Sequence, residues 1–164
     1  EEFLGKGVSY CVTCDGPLFR NKPVAVIGGG NSGFEAALYL KEICPEVFIL
    51  ERGERVIADE ENQKKAKEKN IEIILNAQVR EIKGKDLVEK LVYEDLRTKE
   101  LKELEVNGVF IQIGGVPAAA FLQHLVDCNQ AGEIMVDLKS FQTKTPGLFA
   151  AGDVIDFPYK QIII

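Results

Sequence analysis

The run PVAVIGGGNSGFEAALYL, residues 23–40, decides how the chain is read. Its first five residues are apolar and β-prone, GGGNSG follows at once, and apolar side chains at 34, 37, 38 and 40 then recur at helical spacing. The pattern is strand, glycine turn, helix. Gly28, Gly30 and Gly33 stand at G-x-G-x-x-G spacing. In such a turn the first glycine permits a tight bend, the second lets backbone N–H groups approach a pyrophosphate, and the third lets helix and strand pack closely. Phosphate then rests on the helix N-terminus, where unpaired N–H groups and the helix dipole favour an anion. Asn31 and Ser32 stand where their side chains are expected to add N-cap hydrogen bonds.

Downstream, EVFIL at 46–50 reads as a second buried strand, ADEENQKKAKEKN at 58–70 as an exposed helix ending at Asn70, and IEIIL at 71–75 as a third strand. This β-α-β-α-β alternation predicts a parallel sheet with helices on its faces, joined by right-handed crossovers. From about 78 to 113 the strand-like runs QVREIKG, LVEKLVYED and ELKELEVNGVFIQIG lack an intervening helix. They predict an antiparallel meander leading into one last parallel strand, GVFIQI. Residues 118–128 are expected to form a short helix, GEIMVD at 132–137 a short strand, and LFAAGD at 148–153 a strand ending in a glycine turn. The fold class is therefore α/β: a Rossmann-like, three-layer domain with a parallel sheet plus an antiparallel β-meander. Glu51 closes the second strand, about 20 residues after the glycines. An acid there accepts hydrogen bonds from the ribose hydroxyls of NAD and repels the extra phosphate of NADP. Arg52 and Arg55 follow closely and would partly compensate a 2′-phosphate.

Composition narrows the class. Apolar residues make up 46% and charged residues 28% of 164, ordinary globular usage, and no apolar run approaches the roughly 20 residues of a membrane span. The net charge is −6, and Lys and Arg are scattered rather than striped, which argues against nucleic acid as a partner. Nothing resembles a signal or transit peptide. Four cysteines with one close pair do not make an extracellular disulfide framework, so a reducing, cytoplasmic compartment is expected. The chain lacks an initiating Met and ends in the apolar YKQIII, and so reads as a piece of something longer.

The close pair lies in YCVTCDG, residues 10–16. A C-x-x-C pair closes a small disulfide loop and is often exchange-competent, and Asp15 beside it could shuttle a proton as the pair cycles. Two other readings stay open on the residues alone. Cys11 and Cys14 could join His124 and Cys128, an H-x3-C pair, in a zinc set, although more than a hundred residues separate the halves. Or the pair is inert. Cys44 and Cys128 read as ordinary buried small hydrophobes.

GVSYCVTCDGPLFRNKPVAVIGGGNSGFEAALYL resembles the central region of low-molecular-weight thioredoxin reductases and of the flavoprotein component of alkyl hydroperoxide reductase, and TPGLFAAGDV with PYKQIII resembles their return to an FAD domain. The resemblance spans essentially the whole chain. It implies a two-electron relay from NAD(P)H through FAD to a Cys11–Cys14 disulfide, and on to a thioredoxin-like or peroxiredoxin-like protein disulfide. Cys14 would face the flavin, Cys11 attack the partner, and Asp15 serve as proton donor. Gly114 and Pro117 of IGGVP would lie near the nicotinamide cofactor, Gly152 and Asp153 would touch FAD, and Gln161 would sit close to the flavin. The resemblance further implies a nicotinamide-nucleotide domain over 1–142, a truncated return segment over 143–164, an FAD domain largely missing, and a homodimeric complete protein. LERGER places Glu51 where NADPH-using members carry a histidine, which implies NADH preference. The contrasting reading is an isolated nucleotide-binding module or split subunit without turnover of its own.

Overall fold

The computed structural model describes residues 2–115 and 117–157. The chain divides into two compact units, Glu1–Gly114 and Gly115–Ile164. The boundary expected after residue 142 falls inside the second unit.

In the first unit the apolar runs become strands of one parallel sheet: β1 (Val8–Ser9), β2 (Val24–Ile27), β3 (Val47–Leu50), β4 (Glu72–Ile74) and β8 (Gly108–Ile111). Their order is β1-β8-β2-β3-β4, with every neighbouring pair parallel. Between them come the single turn α1 (Val12–Asp15), α2 (Asn31–Lys41) and α3 (Glu60–Glu68). Strands β5 (Ala77–Gly84), β6 (Val88–Asp95) and β7 (Leu101–Glu105) form the expected antiparallel meander.

Alternation along each central strand explains the layers, because successive side chains point to opposite faces of a sheet. Val24, Val26, Val47, Ile49 and Phe110 pack with Phe34, Ala37 and Leu40 of α2 and Ala66 of α3. Ala25, Leu50 and Val109 pack instead with Val88 and Leu91 of the meander. A strand covered on both faces must be apolar throughout, which is why PVAVI and EVFIL carry no polar alternation. Each fully buried Phe or Leu here contributes about 1.5–3 kcal/mol.

Helix α2 buries Gly33, Phe34, Ala36, Ala37 and Leu40 on one face. A glycine inside a helix costs about 1 kcal/mol against alanine, but a Cβ on Gly33 would lie 2.0 Å from the Gly28 carbonyl oxygen. Close helix–strand approach therefore requires it. The helix stops where Ile43 and Cys44 N–H both turn back to the Leu40 carbonyl, just before Pro45.

The second unit departs from expectation. Of the helix expected over 118–128 only a 3-10 turn, Ala120–Leu122, forms. The Leu125 carbonyl accepts the Thr145 hydroxyl, the Asp127 carbonyl accepts Met135 N–H, and Asn129 N–H goes to the Glu133 carbonyl, so a single i→i+4 bond, Val126 N–H to the Leu122 carbonyl, is not continued into a helix. GEIMVD is no strand. Ile134 makes isolated bridges to Cys128 and Ile155, between Gly132 at φ +81° and a turn closed by Asp137. LFAAGD is likewise reduced to a Gln142–Phe149 bridge and a 3-10 turn, Gly152–Val154. A small core of Ala119, Val126 and Ile134 holds the unit. Among the described residues no helix is long and apolar enough to cross a membrane.

Candidate dinucleotide and disulfide site

In a parallel sheet all strands end on one edge, and ligands bind there at the point where strand order reverses. Here that point lies between β2, which leads to β3 by α2, and β8, which returns to β2's other side. A cavity of about 720 Å³ opens at this edge, lined by residues 28–32, Glu51, Arg52, Ile57, Gln112 and Gly114. A more open hollow of about 660 Å³ beside α3, lined by Gln63, Lys64 and Lys67, contains none of the expected site residues.

The three glycines of the turn are glycine for different reasons. Gly28 has φ +122°, and a Cβ on it would fall 2.2 Å from the Gln112 carbonyl oxygen, so internal geometry demands it. Gly33 is demanded by α2 packing. Gly30 is not: its backbone is extended (φ −88°, ψ −179°), and a Cβ there would meet nothing nearer than Ile57 at 3.9 Å. The space it leaves belongs to the cavity, which fits a group that approaches the backbone closely. No side chain caps α2, and its first residues, Asn31 and Ser32, line that space.

Asn31 and Ser32 do not cap the helix as expected; Gly30 is the N-cap and they are already helical, whereas a capping residue must be extended. The Asn31 amide instead donates to the Asp59 carboxylate (2.9 Å), and its oxygen accepts Asp59 N–H (2.8 Å). Ile57 and Ala58 N–H both donate to the Gly29 carbonyl, so the segment after β3 is stitched to the glycine turn.

Glu51 directly follows β3. One carboxylate oxygen accepts Gly29 N–H and the other Gly53 N–H, both at 2.7 Å. It is half-buried, and each oxygen retains a lone pair toward the cavity it lines. Arg52 lines the cavity, whereas Arg55 is exposed and outside its lining.

A disulfide joins Cys11 to Cys14. It sits on α1, immediately beyond β1, a strand too short to read in the sequence and fixed by pairing Val8 with Val109 and Ser9 with Phe110. Since β8 separates β1 from β2, disulfide loop and glycine turn share one sheet edge, about 10 Å apart at two strand spacings. Cys14 is exposed and Cys11 half-buried, with Cys14 N–H donating to Cys11 Sγ at 3.3 Å. Such a bond is stronger to a thiolate than to a thiol.

Two residues that the sequence did not single out hold this loop. Ser9 Oγ donates to Asp15 Oδ2 at 2.6 Å and accepts Cys11 N–H at 3.0 Å. Gln112, from the cavity wall, donates to the Tyr10 carbonyl at 3.0 Å. The only available signals were a hydroxyl in GVSY and an amide at a strand end in IQIG.

The chain matches the pyridine nucleotide-disulphide oxidoreductase family over residues 1–163. It belongs to that family. It is 50% identical over 165 residues to NADH dehydrogenase of Bacillus subtilis and 46% over 166 residues to the F subunit of alkyl hydroperoxide reductase in Pseudomonas aeruginosa, in each case over 100% of this chain and 32% of the relative. Among solved structures it matches thioredoxin reductase of T. acidophilum (42% identity, TM-score 0.89) over 98% of this chain and 53% of that one. It also matches that of Lactococcus lactis (40%, TM-score 0.88) over 99% and 54%. The chain thus spans about a third of these curated relatives and about half of these structures. The Rossmann-like architecture, the resemblance to thioredoxin reductases and the C-x-x-C disulfide all agree with the sequence reading.

The remaining expected residues lie elsewhere. Gly152 (φ +79°) and Asp153 open the 3-10 turn of the second unit. His124 is exposed. Among the described residues no cluster of three or more His, Cys, Asp or Glu is placed to hold a metal. Cys44 is buried and donates to the Phe19 carbonyl (3.2 Å); burial pushes its thiol pKa up, partly offset by Lys41 and Arg20. Cys128 is half-buried beside the small core of the second unit. Gln161 lies outside the described residues.

Proposed function

We propose that this chain is the nicotinamide-dinucleotide-binding and redox-disulfide portion of a thioredoxin-reductase-like flavoenzyme, with NADH as the preferred donor and a thioredoxin-like or peroxiredoxin-like protein disulfide as acceptor. One observation carries the reading: an accessible Cys11–Cys14 disulfide stands on the same sheet edge as a cavity whose central glycine has no internal reason to be glycine.

The Gly28–Gly33 turn and the α2 N-terminus would hold the pyrophosphate, Glu51 would take the adenosine ribose, and Gly114, which lines the same cavity, would serve the nicotinamide end. When bound, a nicotinamide supplies two electrons as a hydride and a flavin in the complete protein relays them. Toward that flavin the chain would offer Gly152, Asp153 and Gln161. Two electrons and two protons convert the disulfide into two thiols, Asp15 carrying the proton for Cys14. Cys11, whose sulfur accepts Cys14 N–H, loses its proton to solvent and attacks one sulfur of the acceptor disulfide, and the acceptor's other sulfur leaves as a thiolate that takes up a proton from solvent. Cys14 gives its proton to Asp15 and attacks Cys11 Sγ. The Cys11–Cys14 bond re-forms, and the acceptor leaves reduced by two electrons.

Thiol titration tests this. The oxidised chain should present two reactive thiols on unfolding, Cys44 and Cys128, and the reduced chain four; Cys14→Ser should show the same number in both states. Equal counts in the unaltered chain, or stoichiometric zinc lost with His124→Ala, would overturn it.

A further inference from the structure

Ser9 is 4% exposed, and its side-chain hydrogen bonds all run to the disulfide loop: to Asp15 Oδ2 (2.6 Å), from Cys11 N–H (3.0 Å) and to the Cys11 carbonyl (3.3 Å). A hydroxyl has one proton and two lone pairs, so it cannot donate to Asp15 and to the Cys11 carbonyl together. With Asp15 ionised, the short charge-assisted bond takes the proton. With Asp15 protonated, the carboxyl O–H becomes the donor. Ser9 Oγ then accepts it beside Cys11 N–H, and the hydroxyl proton turns to the Cys11 carbonyl. Both protonation states find every polar group of this buried serine partnered.

We propose that Ser9 is a positioning residue for the disulfide chemistry: its hydroxyl fixes the carboxyl of Asp15, the residue that follows Cys14, and reverses bond direction as Asp15 takes up and releases the Cys14 proton. The inference rests on the redox reading above. It concerns the second chemical step, in which the Cys14 S–H bond breaks with its proton passing to Asp15, the Cys14–Cys11 bond forms, and the bond from Cys11 to the acceptor sulfur breaks. The first step, attack by Cys11, does not use Asp15. A purely structural serine would slow both steps together.

The reduced chain carrying Cys44→Ala and Cys128→Ala, mixed with dithiobis(nitrobenzoate) in stopped flow, separates them, because Cys11 and Cys14 are then its only thiols, Cys11 releasing one coloured thiolate and Cys14 the second. Ser9→Ala and Ser9→Val should leave the first phase within about twofold and slow the second about tenfold, a fraction of the 10²–10⁴ that general acid–base catalysis supplies; Asp15→Asn should slow it about a hundredfold. Ser9→Thr, isosteric with Val but hydroxylated, should restore the second phase to within about threefold of the parent. A wild-type second phase in folded Ser9→Ala, beside a slowed Asp15→Asn, overturns the role of Ser9 and leaves the redox reading standing. If Ser9→Ala fails to fold, equal second phases in the Thr and Val variants overturn it. An unslowed Asp15→Asn removes Asp15 from the mechanism and Ser9 with it, and a chain that releases no second thiolate contradicts the redox pair itself.

Discussion

The two units of this chain are built by different means. Through Gly114, regular ladders join five parallel strands, and the large apolar side chains of the central three are buried between helices and meander except Ile27, Phe48 and Ile111, which are half-buried. From Gly115, among the described residues, pairing is reduced to isolated bridges, and local side-chain bonds do what ladders do elsewhere. Asn129 accepts two backbone N–H groups, Asp137 takes Lys139 and Ser140, and Thr145 takes the Leu125 carbonyl. The difference teaches where order comes from. A repeating apolar pattern specifies its own ladder, whereas a short segment takes its shape from whichever polar groups happen to meet it.

The largest expected effect tests the first half of that contrast. Phe110 is fully buried, edge-to-face with Phe19 at 5.3 Å between ring centroids. Phe110→Ala should cost about 3–5 kcal/mol in denaturant unfolding. In the second unit Val126→Ala removes two methyl groups from a small core, for about 1–2 kcal/mol. Equal losses would erase the distinction between the units.

Much of the first unit was legible because short β-prone apolar runs, bounded by glycine, proline and charged turns, alternate with a stretch of helical period. β2 and β3 begin within one residue of where the apolar runs place them, and α2 begins three residues before the first apolar position of its pattern. β1 and α1 were not legible: two strand residues and four helical ones have no period, and their pairing partner β8 lies about a hundred residues on. The site divides the same way. The position of Glu51 could be read as a strand end, but not its bonds to Gly29 and Gly53, and Asn31 reached Asp59 rather than the helix cap. Such contacts depend on where loops close, which composition does not encode.

Cofactor choice sharpens the contrast within the first unit, where function rests on groups fixed by the sheet. Glu51 would place its charge within a few ångströms of a 2′-phosphate, opposed by Arg52 from the cavity wall. NADH should bind more tightly than NADPH by about 1–3 kcal/mol, a gap that added salt narrows. Glu51→His should narrow or reverse it. Because the carboxylate also ties Gly29 to Gly53, that variant should melt lower as well. Calorimetry with both dinucleotides checks the first expectation, and a thermal scan the second.

The smallest expected effect compares two turn aspartates. Asp95 accepts Lys102 Nζ (3.0 Å) and the Arg97 and Thr98 N–H groups, which hold its pKa at about 2. Asp137 is also lowered, by the Ser140 hydroxyl first and then the Ser140 and Lys139 N–H groups, but it is exposed. For both, the folded value lies below the unfolded one, so each contribution is complete above about pH 4 and is lost as the pH falls through the folded value. Acid titration of unfolding should therefore flatten between about pH 4 and pH 2 in Asp95→Asn, and less in Asp137→Asn. Identical acid profiles in the two variants would show that burial of the first turn adds nothing.

The central claim, that this sheet edge binds a nicotinamide dinucleotide through backbone contacts at the glycine turn, is tested most directly by titrating NADH into Gly30→Val. A Cβ at Gly30 meets nothing nearer than Ile57 at 3.9 Å, so the variant should fold, with a loss of no more than about 1–2 kcal/mol from the poorer N-cap. NADH affinity should nevertheless fall by about a hundredfold or more, because a branched side chain fills the space reserved for the pyrophosphate. A folded Gly30→Val chain that binds NADH as tightly as the parent would contradict the account.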